Sequence, residues 1–147
     1  MESNPQINQP RKQLINIDHL EKILEKCWTE ETSLDSENWI PENPSWGQCA
    51  VTACIVNDYF GGKIVWTNVN MNGQDISHYF NNIEGKEIDL TRKQFPPGTT
   101  VLPGIDKTKN FPTTRDYVLS YEKTLARYRI LKARVDEQIA REYNANS

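Results

Sequence analysis

Apolar residues in this chain are concentrated in a few segments, and their spacing changes from one segment to the next. In NIDHLEKILEKCW, Leu20, Ile23, Leu24 and Cys27 recur at three and four residues, which places them on one face of a helix. Asp18 is the expected N-cap, with Glu21 three residues on as in a capping box. His19 lies off the apolar face and reads as a solvated surface residue. A second segment, CAVTACIVNDYF, is apolar almost all round through Ala50, Val51, Ala53, Cys54, Ile55 and Val56. It predicts a central, covered helix that starts near Cys49, is capped by Ser45 and ends at Gly61-Gly62. The pattern then shifts to β-branched and aromatic residues. Strands are expected over 63–69, 76–82 and 86–91. NMNGQD supplies the first turn, and Glu84-Gly85 supplies a hairpin between the last two strands.

The rest of the chain is more polar. Residues 1–13 read as a flexible arm. TEETSLDSENWIPENPSW is a connection in which Trp39 and Trp46 are expected to bury their rings. The loop 95–112 carries Pro96, Pro97, Pro103 and Pro112, leaving room for at most a short strand at TTVLP. The last segment, about 114–143, keeps a three-four spacing through Val118, Tyr121, Leu125, Tyr128, Leu131, Val135 and Ile139. Ser120 is a second candidate cap that would break it. A helix of about 20–28 residues is roughly 30–42 Å long. Its stripe either crosses its own domain or meets a second copy of the chain in a homodimer. The expected class is α+β: one domain over 14–147, with a central helix on a small antiparallel sheet and helices at both ends.

At 147 residues the chain is most simply one domain. The formal net charge of -3 comes without a basic stripe, which argues against nucleic acid as a partner. No apolar run reaches the roughly 18 residues that would span a bilayer. MESNPQINQPRKQ lacks a signal-peptide core, so a cytoplasmic location is expected. Cys27, Cys49 and Cys54 show no CxxC or other metal-ligand spacing, and their odd number argues against a disulfide framework. Cys27 and Cys54 read as small core residues. No glycine-rich phosphate loop is present, and no cofactor or metal is expected.

Candidate chemistry centres on Cys49. A helix start offers free amides and partial positive charge, conditions that favour a thiolate. His78 is the only histidine placed on a strand, and Asp89 follows in IDLT. In that order the three suit a nucleophile, its base and the group that orients the base. There is a condition of parity. If Ile83 pairs with Lys86 across a two-residue turn, His78 and Asp89 fall diagonally on one face; a slip by one residue separates them. The Cys49 N–H would hold an oxyanion, with Gln48, Trp46 and Trp39 as candidate second donors. The reaction would be attack on an amide, peptide or ester, ending in hydrolysis or acyl transfer. Each residue also has an ordinary reading: a small buried Cys, a satisfied strand His, an Asp that caps a turn. On that reading the chain is a binding module with Trp39, Trp46, Trp66, Tyr79 and the proline loop as its surface, or an assembly module built on the C-terminal helix.

The stretches SWGQCAVTACIVNDYFGGKI, SHYFNNIEGKEIDLT, RDYVLS and TLARYRILKARV resemble the YunG-like family of small bacterial proteins, over about Trp39 to Val135. WGQCAVTA is also similar to the YGQCWVFA-type nucleophile motif of transglutaminases, with Ala50 where that motif has Trp. This wider resemblance implies a papain-like or transglutaminase-like core, with Cys49 as nucleophile, His78 as base and Asp89 as orienter.

Overall fold

The computed structural model describes residues 15–145; the arm expected over 1–13 lies outside them. Helix α1 (Ile17–Cys27) is capped by Asn16, whose side chain accepts from the His19 N–H at 2.8 Å. Asp18 therefore sits inside the first turn rather than capping it, where its charge still favours the positive end of the helix. Leu20, Ile23, Leu24 and Cys27 are all buried, as their spacing requires. His19 is not simply solvated: its Nε2 lies 2.6 Å from a Glu142 carboxylate oxygen near the far end of the chain.

Helix α2 (Cys49–Phe60) buries seven residues, Cys49, Val51, Thr52, Ala53, Cys54, Ile55 and Val56, and ends at Gly61, whose φ of 75° suits a residue without a Cβ. The C-terminal segment is two helices, α3 (Thr114–Leu119) and α4 (Glu122–Ala145). Ser120 ends the first rather than starting the second, its hydroxyl donating to the Tyr117 carbonyl at 2.6 Å. The bend takes Tyr121 off the expected stripe, leaving it 55% exposed, while Tyr128, Leu131, Val135 and Ile139 are buried. These four join the apolar faces of α1 and α2 in one cluster. The stripe of the long helix is thus covered by its own chain, each aliphatic side chain contributing about 1.5–3 kcal/mol. Among the described residues no helix is long and apolar enough to cross a membrane.

Between the two helix pairs in chain order comes an antiparallel sheet of β1 (Lys63–Met71), β2 (Gln74–Ile83) and β3 (Lys86–Ile88), in that order. Both turns are two residues long, Asn72-Gly73 and Glu84-Gly85, with positive φ at each position. That is the primed-turn geometry matching the twist of paired strands. β3 is shorter than the expected 86–91, and Asp89 lies just beyond the ladder. The proline loop forms no strand at TTVLP; its one pairing is a bridge between Ile105 and Trp66.

That bridge fixes how β2 presents its backbone. Trp66 donates to and accepts from Ile105 at 2.7 and 2.8 Å, so its polar groups face away from β2. In antiparallel alternation its register partner Tyr79, with Ser77 and Asn81 on either side, then turns its own groups to the opposite edge. β3 pairs with Asn81, Asn82 and Ile83 only. The edge at Ser77 and Tyr79 is left open, and α2 begins there.

One sheet face carries α2, held by the Asn81 amide donating to the Ala53 carbonyl at 2.9 Å. The other face, with Val65, Thr67, Val69, His78 and Phe80, is buried as well. Phe95 and Gly104 of the loop after β3 cover part of it. A Cβ on Gly104 would meet Val65 at 2.3 Å and Phe80 at 2.9 Å. Gly104→Ala is therefore expected to destabilise the protein by about 1–3 kcal/mol through overpacking, measured by urea unfolding.

Candidate active site

The turn before α2 is shaped by Gly47. Its φ is 74°, and a Cβ there would fall 2.2 Å from the Ser33 hydroxyl. Its carbonyl accepts from Leu34 N–H at 2.9 Å, and its N–H donates to Gln94 Oε1 at 3.2 Å. The chain can then enter the helix at Cys49 directly. Ser45 is not the cap: it lies upstream, where its carbonyl accepts from Gln48 N–H, and Gln48 in the cap position makes no side-chain cap bond. The first-turn amides of α2 have no side-chain partner as a result.

His78 projects from β2 into the second, loop-covered face and is fully buried. Its ring stacks on Phe80 at 5.4 Å and meets Phe95 edge-on at 5.0 Å. Nε2 lies 2.7 Å from Asp89 Oδ2. The parity condition holds because Ile83 pairs with Lys86. Asp89 has a second task, which its ordinary reading anticipated: Oδ1 accepts from Thr91 N–H at 3.2 Å, closing the turn after β3. Gln94 Nε2 donates to the Thr91 hydroxyl at 3.1 Å, while its Oε1 holds Gly47. Gln94 and Thr91 thereby tie the turn that carries Asp89 to the turn that launches Cys49. No local motif marks this pair, and the sequence reading missed it.

Burial disfavours charge on the His78 ring, but the hydrogen bond to Asp89 and the influence of Cys49 and of the Asp89 charge outweigh it and raise its pKa from 6.5 to about 9. Nδ1 is buried without an aligned hydrogen-bond partner. Cys49 acts on the ring electrostatically, yet no aligned S–H···N bond joins them. Its thiol instead approaches the Ser77 carbonyl, at 3.9 Å, on the open edge of β2. Burial raises the pKa of the Cys27 thiol and pushes that of Cys54 up to about 12.

The three expected oxyanion donors are not brought to Cys49. Gln48 is fully buried and donates to the Thr29 carbonyl at 2.9 Å. Trp46 donates to Asp35 at 3.0 Å, and Trp39 donates to the Pro44 carbonyl at 2.9 Å. All three brace the connection before α2, and none lines the cleft beside the thiol. The expected aromatic surface is also divided, since Trp66 and Tyr79 pair across the sheet while Trp39 and Trp46 stay in that connection.

The cleft has a volume of about 380 Å³ and opens on Cys49, with Ser77 and Tyr79 from β2, Lys107 from the proline loop, and Tyr117, Tyr121, Lys123 and Arg127 from the C-terminal helices. Lys107, Lys123 and Arg127 were not foreseen. They reach the site through tertiary packing alone, and no short-range spacing links them to Cys49. Among the described residues no group of three or more His, Cys, Asp or Glu could hold a metal ion.

The His78 shift has a consequence for stability. A pKa higher in the folded protein than in the unfolded chain stabilises fully below pH 6.5 and is lost as pH rises towards 9. Unfolding free energy should fall across that window by up to about 3 kcal/mol more in the wild type than in Asp89→Asn. Urea unfolding at pH 6 and pH 9, with NMR titration of the His78 ring, measures this; equal pH dependence in both proteins counts against it.

The family described as YunG protein matches residues 16–140. The chain is 38% identical over 79 residues to the uncharacterized protein YunG of Bacillus subtilis (strain 168). That match takes in 54% of this chain and spans 63% of the length of the relative. No solved structure matches the chain. With most of its length inside the family match, from the residue that caps α1 to the far part of α4, the chain belongs to the YunG family.

Proposed function

We propose that the protein is a cysteine-nucleophile hydrolase or acyl transferase, acting on an amide, peptide or ester through Cys49, His78 and Asp89. The observation that carries this reading is the state of the His78 ring. One nitrogen is held by Asp89 at 2.7 Å, and the other is buried and unpartnered, in a ring acted on by Cys49, whose thiol lines the cleft. A buried polar atom without a partner is costly unless it has work to do. A helix opening on the nucleophile, followed in the chain by the base and then the orienter, is also the order that the transglutaminase-like resemblance implies for the core.

In this mechanism Nδ1 already holds the proton from Cys49, the ring pKa being raised to about 9, and Sγ forms a bond to the carbonyl carbon of the substrate as the carbonyl π pair moves onto oxygen. Asp89 supports the imidazolium through Nε2. The oxyanion is held by first-turn amides of α2, which no side chain caps. Tyr79 stands as the second donor in place of Gln48, Trp46 and Trp39: it lines the cleft, and burial, then Tyr117 and Cys49 nearby, raise its pKa, so it keeps its proton. The Nδ1 proton passes to the departing amine or alcohol as its bond to carbon breaks, leaving a thioester on Cys49. Water or an amine then attacks the thioester, gives its proton to Nδ1 and releases the acyl group, and the thiol is restored.

Alkylation by iodoacetamide tests the nucleophile. At pH 7 Cys49 should react at least about 100-fold faster than Cys54, and His78→Ala should slow it by about 10-fold or more. An activated ester should leave its acyl group on Cys49, located by peptide mass spectrometry and absent in Cys49→Ala. Slow, equal labelling of all three cysteines would instead support the non-catalytic binding module.

A further inference from the structure

Lys107, Lys123 and Arg127 line the cleft beside Cys49, and no carboxylate does. The chain as a whole is acidic, with 20 Asp and Glu against 17 Lys and Arg, so this is a departure from its average surface. Several cations elsewhere in the protein have carboxylate partners. Arg115 and Lys132 meet Asp58, Arg134 meets Glu31, Arg141 meets Glu137 and Lys63 meets Asp106. Among the described residues none of the three cleft cations forms an ion pair.

Two of the three are held in place. Lys107 Nζ sits 4.2 Å above the Trp66 ring centre, and its backbone N–H is tied to the Thr114 hydroxyl at 2.9 Å. Arg127 donates to the Thr124 hydroxyl at 3.1 Å, yet its Nε is buried with no partner. Burial lowers the pKa of Arg127 and the charge of Cys49 works the other way, so guanidinium and sulfur act on each other. Arg127, half-buried with an unpartnered Nε and no counterion, is costly to hold, while Lys107 is half-buried and Lys123 exposed. An entering anion offsets that cost, and a concave site of one charge sign concentrates ligands of the other.

We infer that the cleft selects an anionic acyl substrate, one whose reactive carbonyl is joined to a carboxylate or phosphate that Lys107, Lys123 and Arg127 receive. This rests on the nucleophile reading for the reaction, but the recognition of the anion does not.

Two haloacetyl reagents separate the two ideas, because iodoacetate and iodoacetamide alkylate a thiol by the same displacement and differ in charge. For Cys49 the ratio of iodoacetate to iodoacetamide rate should exceed that of free N-acetylcysteine by about tenfold or more. It should fall towards the free-thiol ratio when salt is raised from about 20 mM to about 500 mM. Lys107→Gln/Lys123→Gln and Arg127→Gln should each lower the ratio, and Lys26→Gln, remote from the cleft, should not. A ratio like that of the free thiol, with Cys49 still reacting fast with iodoacetamide, overturns the anion site and spares the nucleophile. If Cys49 reacts with neither reagent, calorimetry decides. Binding of glutarate or inorganic phosphate that weakens about tenfold or more in Lys107→Gln/Lys123→Gln supports the site and shows which anion it takes; no binding of either, or binding equal to that of neutral glutaramide, overturns it.

Discussion

A two-residue turn at Glu84-Gly85 brings His78 and Asp89 to one face, and the contact between them organises everything around it. Side chains on a strand alternate, so one residue more or fewer would send the imidazole and the carboxylate to opposite sides of the sheet. Their meeting at 2.7 Å is sheltered by Phe80 and Phe95, which removes the water that would weaken it. The loop after β3 provides that shelter because Gly104 lets it lie directly on Val65 and Phe80. The hairpin thus sets the geometry, and the loop sets the dielectric in which it acts.

Cys49 is delivered to the same place by different means. Antiparallel alternation and the short β3 leave β2 with an open edge at Ser77 and Tyr79, and α2 starts against that edge. Gly47 permits the sharp approach, and Gln94 couples it to the turn at Thr91. Helix start and hairpin end are therefore one mechanical unit, although they are far apart in sequence.

Much of this was legible in the chain. Alternation, turn dipeptides and glycine stops are local signals, and they placed α2, the three strands and the register that joins His78 to Asp89. Caps were less legible, because Asn16 and Asp18 are both competent and the choice depends on where the backbone leaves its extended conformation. Ser45 misled for the same reason, since the tight turn at Gly47 delays the helix by several residues. The indoles of Trp39 and Trp46 could not be aimed from sequence, as their N–H groups follow the path of an irregular connection. The cleft cations were invisible because Lys107 reaches Cys49 only when the proline loop folds back, and Lys123 and Arg127 only when the C-terminal helices do.

Asp89 closes a turn with one oxygen and holds the imidazole with the other. Drift at this position is therefore restrained from two directions. Glutamate would move both oxygens outward by a methylene, and asparagine would keep an acceptor for only one of the two duties. Loop shape and ring charge meet in one side chain, so an exchange that keeps the bend, such as asparagine with its oxygen on Thr91, gives up the charge beside the ring.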